Sequence, residues 1–507
     1  MHALARSVFC VGFSGTTVAD APIEALHAFA PGGFILFARN IGPAPDLHAL
    51  IAALRASGTP TPLVALDQEG GRVARITDPH LVAQIPAAMA LGALGDLSMV
   101  ERLGSLVGRD LARLGINVNF APVADLALDA RNIVIGSRSF GAVPYAVANM
   151  AAAFARGLER CGVAAALKHF PGHGATHVDS HVALPLVDVD LATLRARDLV
   201  PFTSAIGTAA ASIVMSAHIV LSALDPDLPA TLSSRVLTGL LRDELGFTGV
   251  IATDCLEMEA VAATVGTAQG ALRALAAGAD LLVVSHHLER AEEAVDRIVA
   301  AIDDGSLPRA RLEAAAGRVR ALRERLAAIP PSAAPLDAAW PLMAAQAAVT
   351  VVRGAIRLRD ELPVTVISFE GEIADGAAGT RVESPSLSSA LRARRWKSEV
   401  MRVSFEPDED DLDLLLAHLP SLGNRNFVIV MRRAHLYPGQ VHAIARILAV
   451  VPEAIVISAR EPYDAALVPD ARHVACIYGD ERISFEGCAD VLSGRAEARG
   501  SLPVPIS

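Results

Sequence analysis

At 507 residues, 52% of them hydrophobic, the chain is long enough for roughly two or three domains with a sizeable core, which excludes a disordered protein. Its formal net charge of −11 argues against nucleic acid or an anionic membrane as the main partner. The five cysteines, Cys10, Cys161, Cys255, Cys476 and Cys488, are widely spaced without a CxxC pair, and predict reduced buried thiols rather than a disulfide framework or a zinc module.

The N-terminal apolar run is short and lacks a cleavage site, so 7–12 reads as a first strand and not as part of a leader. No apolar stretch reaches the roughly 18 residues of a membrane span. Further apolar runs at 33–37, 63–67, 118–122, 163–169, 213–218, 249–254 and 280–284 read as strands covered on both faces. Amphipathic stretches at 145–160, 191–206, 234–245 and 288–301 read as helices between them, with Pro144 at the start of the first. This alternation predicts a (β/α)8 TIM-type barrel over residues 1–328. No short fixed repeat points to a solenoid. Pro330, Pro331 and Pro335 mark a linker that, with a connecting helix near 338–348, fills residues 329–348. Strands at 364–368, 399–404, 427–431, 454–458 and 474–478 then alternate with helices at 387–394, 410–419 and 441–450. They predict a smaller C-terminal α/β domain with an open sheet over 349–507. No GxGxxG turn opens it, so a dinucleotide site has no support.

The functional face of such a barrel is the C-terminal rim of its strands. Strand three ends there in Asp67, the loop after strand four carries Arg138, and strand five ends in Lys168 and His169. Strand six delivers Ser216 and His218, strand seven Asp254, and strand eight Ser285, His286 and His287. The densest segment is KHFPGHGATHVDSH, residues 168–181. His169, His173, His177 and His181 recur at a helical spacing, but Pro171, Gly172 and Gly174 oppose a helix. The segment therefore reads as a strand end running into a polar loop. Each residue also has a bland reading. Asp67 could pair with Arg72, Lys168 and His169 could belong to a solvated loop, and His218 could be a satisfied core histidine. His286 and His287 have the same bland reading as His218, and Arg113 and Arg131 could be surface groups. Asp254 stands apart, because a carboxylate closing the run GVIAT is costly to bury without a purpose.

The motifs LDQEGGRVAR, NFAPVAD, IGSRSFG, KHFPGHG followed by DSH, and GVIATDCLEM occur in one order along the barrel. Together they resemble glycoside hydrolase family 3, most of all its β-N-acetylhexosaminidase branch. The C-terminal ADVLSGRAEARGSLPV resembles the second domain of its two-domain members. The resemblance implies that Asp254 is a catalytic nucleophile and that His181 and Asp179 form an acid/base dyad. It implies that Asp67, Arg75, Arg138, Lys168 and His169 bind substrate. It further implies a retaining β-N-acetylglucosaminidase acting on cell-wall fragments in the cytoplasm, with a small carbohydrate as partner and no cofactor or metal. Retaining hydrolysis needs a nucleophile below the anomeric carbon and a proton donor at the leaving oxygen. Asp179 could fix the tautomer of His181 and stabilise its imidazolium, and Lys168, Arg138 or Arg75 beside Asp254 would keep that carboxylate ionised. Cys255 is expected to turn away from Asp254 as an inert thiol.

Four other readings stay open. The acid could be a second-domain glutamate, Glu370, Glu372 or Glu406, as in β-glucosidase relatives. Phosphate could replace water. A metal-dependent barrel hydrolase could use His169, His173, His177, His181 and Asp254. The chain could also be a non-catalytic sugar-binding scaffold. The sequence leaves the oligomeric state open, with a monomer compatible, and gives the second domain no identifiable chemistry. Aromatic residues, at 4%, argue against a long stacking platform for polysaccharide.

Overall fold

Eight short strands form a ring: β1 Phe9–Val11, β2 Gly33–Leu36, β3 Leu63–Leu66, β4 Val118–Asn119, β5 Ala164–Phe170, β6 Ile213–Ser216, β7 Val250–Thr253 and β8 Leu282–Val284. All neighbours pair in parallel, β1 with β8 included, and a bridge between Ala252 and Leu281 joins β7 to β8 and closes the barrel. This is a computed structural model, and it describes residues 1–176, 184–330, 336–371 and 385–506. Among the described residues no helix is long and apolar enough to cross a membrane.

Side chains alternate along a strand, and that period sorts the barrel into two cores. Leu63, Ala65, Ala164, Ala166, Ile213, Met215, Val250 and Ala252 fill the interior. Val64, Leu66, Ala165, Leu167, Val214 and Ile251 face outward and pack under the helices. The interior columns continue, two residues on, to Asp67, Lys168 and Asp254. The outward column of β6 continues to Ser216 and His218.

Helix Pro144–Glu159 begins at its proline, as expected. The helix predicted over 191–206 is two helices, Leu191–Ala196 and Val200–Gly207. Pro201 divides them, because it has no N–H to give and its ring blocks the carbonyl four residues earlier. Helix Arg309–Ala327 lies under the barrel and inserts Val319, Leu322 and Leu326 into its floor.

The second domain is a six-stranded sheet: β9 Thr350–Arg353, β10 Val364–Glu370, β11 Ser398–Ser404, β12 Asn426–Met431, β13 Ile455–Ser458 and β14 His473–Cys476. Its order is β9-β14-β13-β12-β10-β11, with only β9 antiparallel. The sequence reading missed β9, a four-residue edge strand with one arginine and a weak apolar signal. One face of the sheet shares its core with Met89, Ala90 and Ala93 of helix Ala88–Leu94. The C-terminal tail is pinned to the barrel by Ser501 N–H donating to Ala93 O (2.9 Å) and Ala142 N–H donating to Pro503 O (3.0 Å).

At the bottom of the barrel Asp280 is fully buried. It accepts from Arg242, from Arg311 at 2.9 Å, from Arg318 at 3.3 Å and from the Ile251 N–H at 3.0 Å. Removing the carboxylate would leave Arg242 and Arg311, both largely covered, without their shared partner. Asp280→Ala should therefore lose about 3–5 kcal/mol of stability in urea unfolding. A loss under 1 kcal/mol, roughly what an exposed pair contributes, would show that the cluster carries no weight in the fold.

Candidate active site

After β3 the chain makes a hairpin, Gln68–Gly70 against Val73–Ala74. Gly71 turns it at φ +55°, and a Cβ there would lie 2.6 Å from that of Ala87, so only glycine fits. Asn119 at the end of β4 grips the hairpin by accepting from Gln68 N and donating to Gln68 O, each at 2.9 Å. The hairpin thereby holds Asp67, Glu69 and Arg75 at the barrel mouth.

Lys168, from the interior column of β5, meets two carboxylates there. Its Nζ lies 2.8 Å from Asp67 Oδ1 and 2.7 Å from Glu69 Oε1. Arg75 donates to Asp67 Oδ2 at 3.0 Å. Arg138 grips Glu69 with two bonds, Nε to Oε2 at 2.8 Å and Nη2 to Oε1 at 2.7 Å. Burial would raise both carboxyl pKa values, but the cations outweigh it. Lys168 and Arg75 hold Asp67 well below the usual carboxylate range, and Arg138 with Lys168 holds Glu69 down at about 2.

His169 by alternation should share the outward side of Leu167. A register shift against β6 between Leu167 and Phe170 breaks the alternation. His169 Nδ1 donates to Asp125 Oδ2 at 2.6 Å, and Arg138 Nη2 approaches its Nε2 at 3.5 Å. The same carboxylate receives the backbone N–H groups of His169 (3.0 Å) and His173 (2.6 Å). Asp125 thus fixes the exit of β5. The buried His173 shares a 2.8 Å hydrogen bond with Thr176 Oγ1, and Asp254 acts on it electrostatically. Asp254 is half-buried at the end of β7, with its Oδ1 accepting the Cys255 N–H at 2.7 Å.

Asp67, Arg75, Arg138, Lys168 and His169 therefore come together in one network. Asp179 and His181 lie outside the described residues, as do His177 and Glu372. The three cations expected beside Asp254 have Asp67 and Glu69 as their partners here. Arg72 does not pair with Asp67; it donates to the carbonyls of Ile133 (2.9 Å) and Val134 (3.1 Å). His218 is a core histidine, bonded to Thr231 Oγ1 and to Cys255 O at 2.9 Å each. Arg113 and Arg131 are exposed. His169 bonds Asp125 and His173 bonds Thr176, each through Nδ1. Glu370 pairs with Arg402 (3.0 Å) and Glu406 accepts from Gly439 N (3.0 Å), both within the second domain.

Sequence reasoning passed over Glu69 and Asp125, although both stand inside quoted motifs and Glu69 follows Asp67 by two. It had no means of finding the second domain's contribution. Arg433 donates to Ile133 O at 3.3 Å and its Nε lies 3.4 Å from Glu461 Oε2. Burial would raise the Glu461 pKa, but Arg433, Arg460 and Arg72 hold it far below the usual range. Glu461 packs on Gly136, where a Cβ would lie 2.5 Å from its Oε1. The second domain thus braces the loop that carries Arg138. Asn132 Nδ2, from that loop, donates to His173 O at 2.9 Å and ties it to the exit of β5.

Residues 11–322 match the family model described as the glycosyl hydrolase family 3 N terminal domain. The chain is 38% identical to a β-hexosaminidase of Chromobacterium violaceum, over 65% of this chain and 93% of that protein. It is 29% identical to β-hexosaminidase A of Pseudoalteromonas piscicida, over 97% and 92% of the two chains. The solved structure of a glycoside hydrolase family 3 β-N-acetylglucosaminidase from Paenibacillus sp. str. FPU-7 superposes with a TM-score of 0.92 at 32% identity, covering 100% of this chain and 99% of that one.

Burial lowers the pKa of His173 from 6.5 to about 4. Between those values the unfolded chain binds the proton and the folded chain does not, so stability falls as pH drops through this window. His173→Gln removes that dependence. Going from pH 7 to pH 5, the wild type should lose about 2 kcal/mol more than the variant in urea unfolding. Equal losses would show that His173 is not held neutral by burial.

Proposed function

The chain belongs to glycosyl hydrolase family 3, and from that membership we propose that it is a retaining, exo-acting β-N-acetylglucosaminidase. The observation that carries the proposal is the barrel mouth itself. The Asp254 carboxylate, on the interior column of β7, shares that mouth with a pre-paired charge network on the loops after β3, β4 and β5. The relatives named as β-hexosaminidases and the β-N-acetylglucosaminidase with the same two-domain architecture support the substrate class.

In this reading Asp254 Oδ attacks the anomeric carbon of a terminal β-linked N-acetylhexosamine. The glycosidic bond breaks, and the leaving oxygen takes a proton from the imidazolium of His181, which Asp179 orients. The neutral imidazole then takes a proton from water, whose oxygen attacks the glycosyl-enzyme and releases Asp254. Asp67 serves as an acceptor for sugar hydroxyls. Lys168, Arg75, Arg138 and His169 are the donors around it, and their mutual ion pairs fix them before substrate arrives. Short cell-wall fragments met in the cytoplasm are the substrates, in keeping with a chain only 4% aromatic.

A panel of chromogenic β-glycosides tests this. N-acetylglucosaminide should be cleaved in preference to glucoside and xyloside, with the anomeric configuration retained. Asp254→Asn should lower kcat by several orders of magnitude on every substrate. His181→Ala should slow a natural disaccharide much more than an activated aryl glycoside, because only the poor leaving group needs the proton. Equal losses on both would remove His181 from the role. Formation of a sugar 1-phosphate in phosphate buffer would replace hydrolysis by phosphorolysis.

A further inference from the structure

Cys255 and Glu257 follow β7, and His286 follows β8. These strands are neighbours in the ring, so the two short segments meet beside Asp254. One ligand atom from each of the three side chains lies within 4.8 Å of the other two. We propose that Cys255, Glu257 and His286 bind a divalent cation of the zinc class, and that an ion held there inhibits the neighbouring glycosidase site.

Thiolate, carboxylate and imidazole are the donors zinc prefers, and three of them leave a fourth position for water. Zinc bonds of about 2.0–2.3 Å in a tetrahedron space ligand atoms roughly 3.3–3.7 Å apart. Cys255 Sγ and Glu257 Oε2 already stand at 4.0 Å. The remaining closure falls to His286, whose ring is exposed and stacks on Phe37 at 5.7 Å. That exposed ring also gives the ion an entry path. Glu257 is held rigidly, its side chain only 3% exposed. Its Oε2 accepts the His286 N–H at 2.6 Å, and its Oε1 accepts from His287 Nδ1 at 2.7 Å. Arg290, 3.5 Å from Glu257, and Arg39 oppose a cation here. Glu257, Asp254 and the Cys255 thiolate formed on binding favour it, the thiol proton passing to solvent.

Inhibition follows from adjacency. The Cys255 N–H donates to Asp254 Oδ1 at 2.7 Å, so an ion drawing on Cys255 disturbs the hydrogen bond that orients the carboxylate. Its charge also stabilises Asp254 as a bystander anion and weakens its attack. Only this consequence rests on the proposed glycosidase reaction; the binding stands without it.

Cobalt(II) is the probe for binding. Metal-free protein titrated with it should take up one ion per chain with a thiolate-to-cobalt charge-transfer band. Cys255→Ser should lose the band, and His286→Ala should bind at least about ten-fold more weakly. Zinc should inhibit the wild type reversibly. It should inhibit Cys255→Ser at least about ten-fold less potently, each protein being compared with its own metal-free rate. No band in the wild type, or an unchanged band in Cys255→Ser, overturns the site. Equal zinc inhibition in both proteins overturns the inhibitory role, and if neither cleaves any glycoside the cobalt spectra still decide the site.

Discussion

One buried ammonium organises the mouth of this barrel. Lys168 Nζ touches Asp67 on one side and Glu69 on the other, and Arg75 and Arg138 complete the row from its two ends. Each carboxylate thus has two cations, and Lys168 has two anions. In so dry a place a single uncompensated member would be strongly destabilising. The row holds because all its members are present, and it converts two flexible cations and a hairpin into a fixed set of donors and acceptors.

The scaffold makes that row possible at little cost in backbone irregularity. Strand alternation alone sends Asp67, Lys168 and Asp254 up the interior columns, above layers of Ala, Val and Ile. The exceptions are local. Gly70 and Gly71 turn the hairpin that brings Glu69 and Arg75 alongside, and the register shift in β5 swings His169 onto Asp125.

The second domain, which carries no chemistry legible in its own sequence, acts through backbone. Arg433 reaches a carbonyl of the loop after β4, Glu461 packs against Gly136, and the tail at Pro503 bonds Ala142. Arg138 sits between these contacts. A domain without a reacting group can still fix the position of one.

The amino-acid sequence by itself determined the barrel, the second sheet and the polar rim, because apolar runs and the amphipathic stretches between them are properties of short segments. Asp254, Asp67 and Lys168 were legible for the same reason, each being a charged residue that ends an apolar run. It also predicted that β5 gives way to a loop at the end of its apolar run, since proline and glycine act locally. Only the tertiary structure decided that His218 continues an outward column and bonds Thr231, that Arg72 turns to carbonyls instead of Asp67, and that Glu69 and Asp125 are further anions of the site. It alone brought Arg433 and Glu461, some 300 residues distant from Ile133 and Gly136, against the Arg138 loop. Partners chosen across such separations depend on how whole elements pack, and no local period in the chain encodes them.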